Sequence, residues 1–248
     1  VLCDSKGVIR KDREVLSKEK KKFATNRRLR SLEDAFKKSD VFIGLSVGNV
    51  VTKSMLKSMN KNPIVFAMAN PDPEISYSDA TSVREDIIMA TGRSDFPNQV
   101  NNVLGFPYIF RGALDVRAST INESMKVAAV RAISALAKEP VPEDVNMAYQ
   151  GKNLTFGSDY IIPKPNDPRL ITHVSMAVAK AAIKSGVAAN EITDWAKYEE
   201  NLIERLGLGN QLIRQFNRVA KDNKKRVLFV EADNYNVLKA AEIVKVED

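Results

Sequence analysis

Residues 40–92 read DVFIGLSVGNVVTKSMLKSMNKNPIVFAMANPDPEISYSDATSVREDIIMATG. Three short apolar runs stand out in this stretch: Val41–Ile43 ending at Gly44, Ile64–Met68 ending in the turn residues NPDPE, and Ile87–Ala90. Each is continuously apolar and too short for a helix, which is the pattern of a strand buried on both faces. Between them, 52–59 and 78–84 carry helical spacing. Strands alternating with helices predict a parallel sheet covered by helices.

Outward from that core, VLCDSKGVI (1–9) predicts the end of a fourth buried strand at Val1–Asp4, followed by a turn at Gly7. A chain that opens inside a strand leads us to expect sequence ahead of Val1. SLEDAFKKS starts a helix capped by Ser31, with Leu32, Ala35 and Phe36 inward. Farther on, 122–138 forms a helix capped by Asn122, with Met125, Ala129, Ala132, Ile133 and Leu136 on one stripe. A second long helix, 168–186, begins at a proline, stops at Gly186, and turns Leu170, Val174, Val178 and Ala181 inward. Prolines 163, 165 and 168 make FGSDYIIPKPNDP a loop laid across the domain. A polar helix over 192–206 reads as a linker. Residues 209–222, a strand at 226–230 and a helix from Tyr235 then begin a new unit, which one strand and two helices cannot close by themselves.

Composition narrows the function. The chain has 248 residues, 44% hydrophobic and 28% charged, which excludes disorder and fibrous repeats. It lacks an apolar run long enough to span a bilayer and a signal-like amino terminus, so we expect a cytoplasmic protein with no membrane partner. A single cysteine, Cys3, and a single histidine, His173, exclude a disulfide framework and a Cys- or His-rich metal site. The net charge of +7 invites nucleic acid, but much of the excess lies in KEKKKFATNRRLR (18–30), without interleaved aromatics, and reads as a solvated face.

The candidate ligand residues lie at strand ends, where open α/β sheets bind ligands. Asp4, closing its strand, is placed to accept from the ribose hydroxyls of a dinucleotide, although DSKG is equally a plain turn. Ser5 and Lys6 beside it would suit a 2′-phosphate, which leaves NAD and NADP both open. GLSVG (44–48) lets backbone approach a ligand. Asn70 sits just beyond a strand, and Asn98, Gln99, Asn101 and Asn102 adjoin an apolar aromatic wall suited to a small polar anion. No Ser-His-Asp or Cys-His set is present; His173 reads as a surface or packing residue. Asp72, Glu74 and Asp79 read as turn and capping acids rather than metal ligands.

Taken together, CDSKGVI (3–9), DVFIGLSVGNVVT (40–52), PIVFAMANPDPEI (63–75) and ATGRSDFPNQVNNVLGFPYIFRGALDV (90–116) resemble the malic enzyme family, in that order and approximate spacing. The resemblance continues through FGSDYIIPKPNDPRL, and within the family it is nearest the bacterial long form fused to a phosphotransacetylase-like domain, whose beginning KKRVLFVEADNYNVLKAAEIV resembles. It implies a doubly wound Rossmann-type α/β sheet with helices on both faces, divided as an NAD(P)-binding domain (1–190), a linker helix (191–208) and the start of a second α/β domain (209–248). It implies oxidative decarboxylation of (S)-malate to pyruvate and CO2, with NADP favoured over NAD as acceptor and Mg2+ or Mn2+ polarising the intermediate ketone. By motif, Asp4, Ser5 and Lys6 would meet the adenosine end of the coenzyme, and Ser46, Val47 and Gly48 would line it. Asn70 would lie at the nicotinamide ribose and substrate, and Asn102 at the coenzyme and the malate carboxylate. The phosphate-binding glycine loop, the metal carboxylates and the lysine and tyrosine acid/base pair would all precede Val1, so no catalytic or metal residue is assigned in this chain. An acetyl-CoA effector acting through the second domain and a homo-oligomer are implied with the fusion. Two competing readings are another doubly wound dehydrogenase, disfavoured by NPDPE and FPNQVNN, and a nonenzymatic nucleotide-binding regulatory fragment.

Overall fold

A computed structural model describes residues 1–149, 153–206, 233–234 and 237–238. Contacts divide the chain into two compact units, Val1–Glu191 and Ile192–Asp248.

The first unit opens with a two-stranded antiparallel ribbon, β1 (Cys3–Asp4) and β2 (Gly7–Val8), followed by the short helices α1 (Lys18–Lys21) and α2 (Leu32–Phe36). Then β3 (Val41–Gly44), α3 (Lys53–Lys57), β4 (Ile64–Ala67), α4 (Tyr77–Thr81) and β5 (Ile88–Thr91) alternate along the chain. The three strands pair in parallel in the order β3-β4-β5, with Gly44, Ala67 and Thr91 in register at their carboxyl ends. This is the α/β architecture the alternating pattern predicts, with strand and helix limits displaced by one to three residues.

Alternation along each strand builds the core. Val65, Ala67 and Met89 turn to one face and bury with Phe36, Leu56 and Ala80 from the helices and with Met59 just after α3, and Phe36 and Phe42 meet at 4.7 Å between ring centres. Val41 and Ile43 turn to the other face of β3 and are exposed. Each short helix is started by a side chain that satisfies a free amide: Ser31, Thr52 and Ser76 accept from Asp34, Met55 and Asp79.

After β5 the chain makes one 3-10 turn (Asn102–Leu104) and enters a helical layer of α5 (Phe106–Asp115), α6 (Glu123–Leu136), α7 (Glu143–Ala148) and α8 (Leu170–Lys184). α8 packs against both α5 and α6. Met125, Ala129 and Leu136 of α6, and Leu170, Val174 and Val178 of α8, are buried as their helical spacing predicts, and Asn122 caps α6. Residues 157–168 form the expected proline-rich loop without regular structure.

The opening run differs from expectation. Val1–Asp4 is not a buried strand of the parallel sheet: Val1 and Leu2 are exposed, and Cys3–Asp4 pairs antiparallel with Gly7–Val8. Turn chemistry outweighs the apolar run here. Asp4 Oδ1 accepts the Lys6 N–H at 3.0 Å and Gly7 takes φ +93°, so the chain reverses within two residues.

In the second unit, 195–206 is helical and its start is capped by Asp194, which accepts the Lys197 N–H. The expected elements over 209–222 and 226–230 and the start of the helix at Tyr235 lie outside the described residues. Among the described residues no helix is long and apolar enough to cross a membrane.

Candidate functional site

The shared register of the three parallel strands brings their carboxyl ends to one edge, and the exposed loops there carry the polar residues the sequence singles out. Beyond β3, Ser46 and Val47 are exposed, and Gly48 passes close enough to the next loop that a Cβ on it would lie 2.7 Å from Asp72 Cβ. Beyond β4, Asn70 is exposed at a cis Asn70–Pro71 bond. Beyond β5, Val100 N–H donates to Thr91 O at 2.8 Å and lays the 98–102 segment alongside the strand end. Asn102, at the start of the 3-10 turn, is exposed.

The loops after β3 and β4 are tied to each other. Asn49 N–H donates to Pro73 O and Val51 N–H to Glu74 O, both at 3.0 Å. The fully buried Glu74 carboxylate accepts the Ser46 N–H at 2.9 Å and the Ala69 N–H at 3.0 Å. Sequence reasoning read Glu74 as a turn acid and missed this bridge, because the partner amide of Ser46 is 28 residues away and nothing local signals it.

The amide cluster separates into different roles. Asn98 is buried: its amide N–H donates to Met89 O at 3.0 Å and Ser158 O at 2.6 Å, and its carbonyl accepts the Ile161 N–H at 2.8 Å. It ties β5 to the proline-rich loop and has no amide group left for a ligand. Asn101 caps the 3-10 turn through the Val103 N–H. Gln99 donates weakly to Gly92 O at 3.4 Å. Of the four, the exposed Asn102 is the one presented outward without a side-chain hydrogen bond of this kind.

Asp4, Ser5 and Lys6 lie in the amino-terminal ribbon, which is held to the segment before α2 by the Val8 N–H to Arg30 O bond of 2.8 Å. Asp4 is not free. Lys20 Nζ approaches its carboxylate at 2.7 Å, and Arg13 donates to both oxygens at 3.0 and 3.3 Å. These two cations, Lys20 first, hold the Asp4 carboxyl well below the usual carboxylate range. Part of the basic stretch is therefore engaged with Asp4. Ser5 and Lys6 are exposed beside it.

His173 lies on α8, bonded to the Arg169 carbonyl at 3.0 Å and facing Glu139 at 3.3 Å, which is a packing role. Asp79 belongs to the α4 cap and pairs with Lys53. Among the described residues, no three of His, Cys, Asp and Glu converge as metal ligands would.

Comparison with known proteins places this geometry. Residues 1–154 match the family model for the malic enzyme NAD-binding domain. A probable NADP-dependent malic enzyme of Rickettsia prowazekii is 52% identical over all of this chain and 32% of its own length. In Rhizobium meliloti, an NADP-dependent malic enzyme is 51% identical and an NAD-dependent one 45%, covering 97% and 98% of this chain and 32% of each relative. The chain thus spans about a third of the length of these curated relatives. Among solved structures, the Entamoeba histolytica malic enzyme superposes with a TM-score of 0.71 at 34% identity, covering 98% of this chain and 48% of that one. The Pyrococcus horikoshii Ot3 malic enzyme gives 0.63 at 37% identity, covering 77% and 40%. A parallel sheet with its polar loops gathered at one edge and a sequence match that runs through every one of those loops have the same explanation: the chain belongs to the malic enzyme family, through its NAD-binding domain.

Proposed function

We infer that the protein carrying this chain oxidatively decarboxylates (S)-malate to pyruvate and CO2 with reduction of NADP+, NAD+ being the alternative acceptor, and that these residues form the coenzyme side of the site. The observation that carries the reading is the edge itself: exposed Ser46, Val47, Asn70 and Asn102, with the half-buried Gly48, stand beyond three aligned strand ends, inside the segment that matches the family's NAD-binding model.

The residues fit a dinucleotide. At Gly48 the absence of a side chain lets the loop after β3 pack on Asp72 of the next loop, which brings the two loops together, and neutral amides at Asn70 and Asn102 can hydrogen-bond a nicotinamide ribose and a substrate carboxylate without adding charge. When bound, the coenzyme supplies the hydride acceptor for the C2 alcohol of malate. Loss of the β-carboxylate as CO2 and protonation of the enol complete the reaction, and no residue of this chain is assigned to those transfers. Mg2+ or Mn2+ belongs to the reading, but the described residues offer no donor set for it.

NADP is favoured over NAD because Asp4 is neutralised. One carboxylate faces two cations, Lys20 and Arg13, with Lys6 beside it, which suits a phosphate better than a pair of ribose hydroxyls. From the resemblance of the quoted motifs we further propose an NAD(P)-binding domain over 1–190, a linker over 191–208, and at 209–248 the start of a phosphotransacetylase-like domain with an acetyl-CoA effector, in a cytoplasmic homo-oligomer.

The test is coenzyme reduction followed by absorbance with malate, Mn2+ and either NADP+ or NAD+. Malate-dependent reduction with NADP+ preferred is expected, and replacing Arg13 and Lys20 by alanine should lower the NADP/NAD ratio of kcat/KM by roughly 10-fold. A folded protein that binds nucleotide but never reduces it in the presence of malate overturns the assignment.

A further inference from the structure

Glu74 is an acid in an unlikely place. Its side chain is fully buried, and burying a carboxylate is unfavourable unless every oxygen is well hydrogen-bonded. Here Oε1 takes the Ser46 N–H and Oε2 the Ala69 N–H. Ser46 opens the 46–48 segment, in which Ser46 and Val47 are exposed and Gly48 is half-buried, and Ala69 immediately precedes Asn70. A single side chain therefore sets the spacing between the two segments that carry four of the candidate ligand residues. The fit leaves no slack, since a Cβ added to Gly44 at the end of β3 would fall on the Glu74 carboxyl.

We propose that Glu74 is a positioning residue for coenzyme binding: its buried carboxylate holds the loops after β3 and β4 at the separation in which Ser46–Gly48 and Asn70 engage one nucleotide. The proposal rests on the functional reading above for the identity of that nucleotide. A hydroxyl or amide side chain could satisfy one of the two amides, but bridging both calls for two acceptors on a rigid planar group of this reach. Displacement of a binding segment by about 1 Å costs up to roughly 100-fold in catalysis, so the bridge matters to function beyond the hydrogen bonds it makes.

The experiment uses the full-length protein with Glu74→Gln, near-isosteric but with one acceptor replaced by a donor, and Leu56→Ala as a control that opens the hydrophobic core while leaving the Glu74 bridge to Ser46 and Ala69 in place. Measured are NADPH affinity, KM and kcat with malate, and Tm. For Glu74→Gln, NADPH affinity should weaken and KM for NADP+ should rise by about 10-fold, with kcat per folded site also reduced. For Leu56→Ala, Tm should fall while affinity and KM stay at wild-type values. Wild-type affinity and KM in Glu74→Gln overturn the proposal, as does an equal change in KM in Leu56→Ala. Should Glu74→Gln fail to fold, hydrogen exchange on the wild-type protein decides: the Ser46 and Ala69 amides should be protected together and slowed further by NADPH, whereas rapid, independent exchange at Ser46 overturns the bridge. A wild-type protein that binds NADPH but does not oxidise malate removes the malic enzyme reading alone, because the affinity comparison still tests Glu74.

Discussion

Asn98 shows how one amide decides between structure and function. It makes three hydrogen bonds in a buried setting, joining Met89 of β5 to Ser158 and Ile161 of the proline-rich loop, 60 and 63 residues away in sequence. Replacing it with alanine removes three hydrogen bonds, each worth about 0.5–1.5 kcal/mol net. Asn98→Ala is therefore expected to destabilise the fold by roughly 3 kcal/mol in urea denaturation, while Asn102→Ala, exposed, should leave stability within about 0.5 kcal/mol. Equal stability of the two variants would refute the assignment of separate roles. The sequence alone presents Asn98, Gln99, Asn101 and Asn102 as equivalent amides. What separates them is which one the long loop covers, and that is a contact between residues 60 and 63 positions apart in the chain, with no local signature. Asp4 was visible as a candidate, but not its neutralisation, because Lys20 reaches it from the 18–30 charge run that reads as solvated and Arg13 from a separate position nine residues along.

At the scale of elements, local capping chemistry was legible and strand context was not. Ser31 and Asn122 sit where a helix needs an acceptor for its first amides, and both cap as the sequence predicts. The α2 cap also has a pH signature. The backbone N–H groups of Ser31 and Arg30, both donating to Asp34 Oδ2 at 3.1 Å, pull the Asp34 carboxyl down to about 2, with the Ser31 hydroxyl adding to the effect. In an unfolded chain the same group titrates near 3.9. Since the folded value is the lower one, the cap's contribution is fully present above pH ~4 and is lost as pH falls from about 4 toward 2. Carboxyl NMR should show a midpoint near 2 for Asp34. Asp34→Asn should remove that part of the acid sensitivity, and an Asp34 midpoint near 4 would show that the cap does not form. The misread element, Val1–Asp4, failed for the opposite reason: an apolar run promises a strand but does not say which neighbour it pairs with, and the DSKG reversal supplies an antiparallel one.

Over the first unit as a whole, three parallel strands, a layer of helices over their apolar face and a helical layer from α5, α6 and α8 leave one polar edge, where loops of different sequence origin meet. Such an edge is held together unevenly. The β3 and β4 loops are joined by Glu74 and by two backbone bonds, and the loop after β5 by the bond from Val100 to Thr91, while Tyr77 at the start of α4 stacks on Phe96 of that loop at 4.7 Å. A nucleotide lying along the edge would add contacts that exist only in the folded state, and so must stabilise it by mass action. At a hundredfold excess over its Kd the gain is about 2.7 kcal/mol, which for a domain of this size corresponds to a Tm shift of roughly 5–10 °C. NADP+ should produce that shift without malate, NAD+ a smaller one at the same concentration, and Glu74→Gln should reduce both. A Tm indifferent to NADP+ at millimolar concentration would mean that the edge is not a coenzyme site, whatever the family resemblance of the residues that line it.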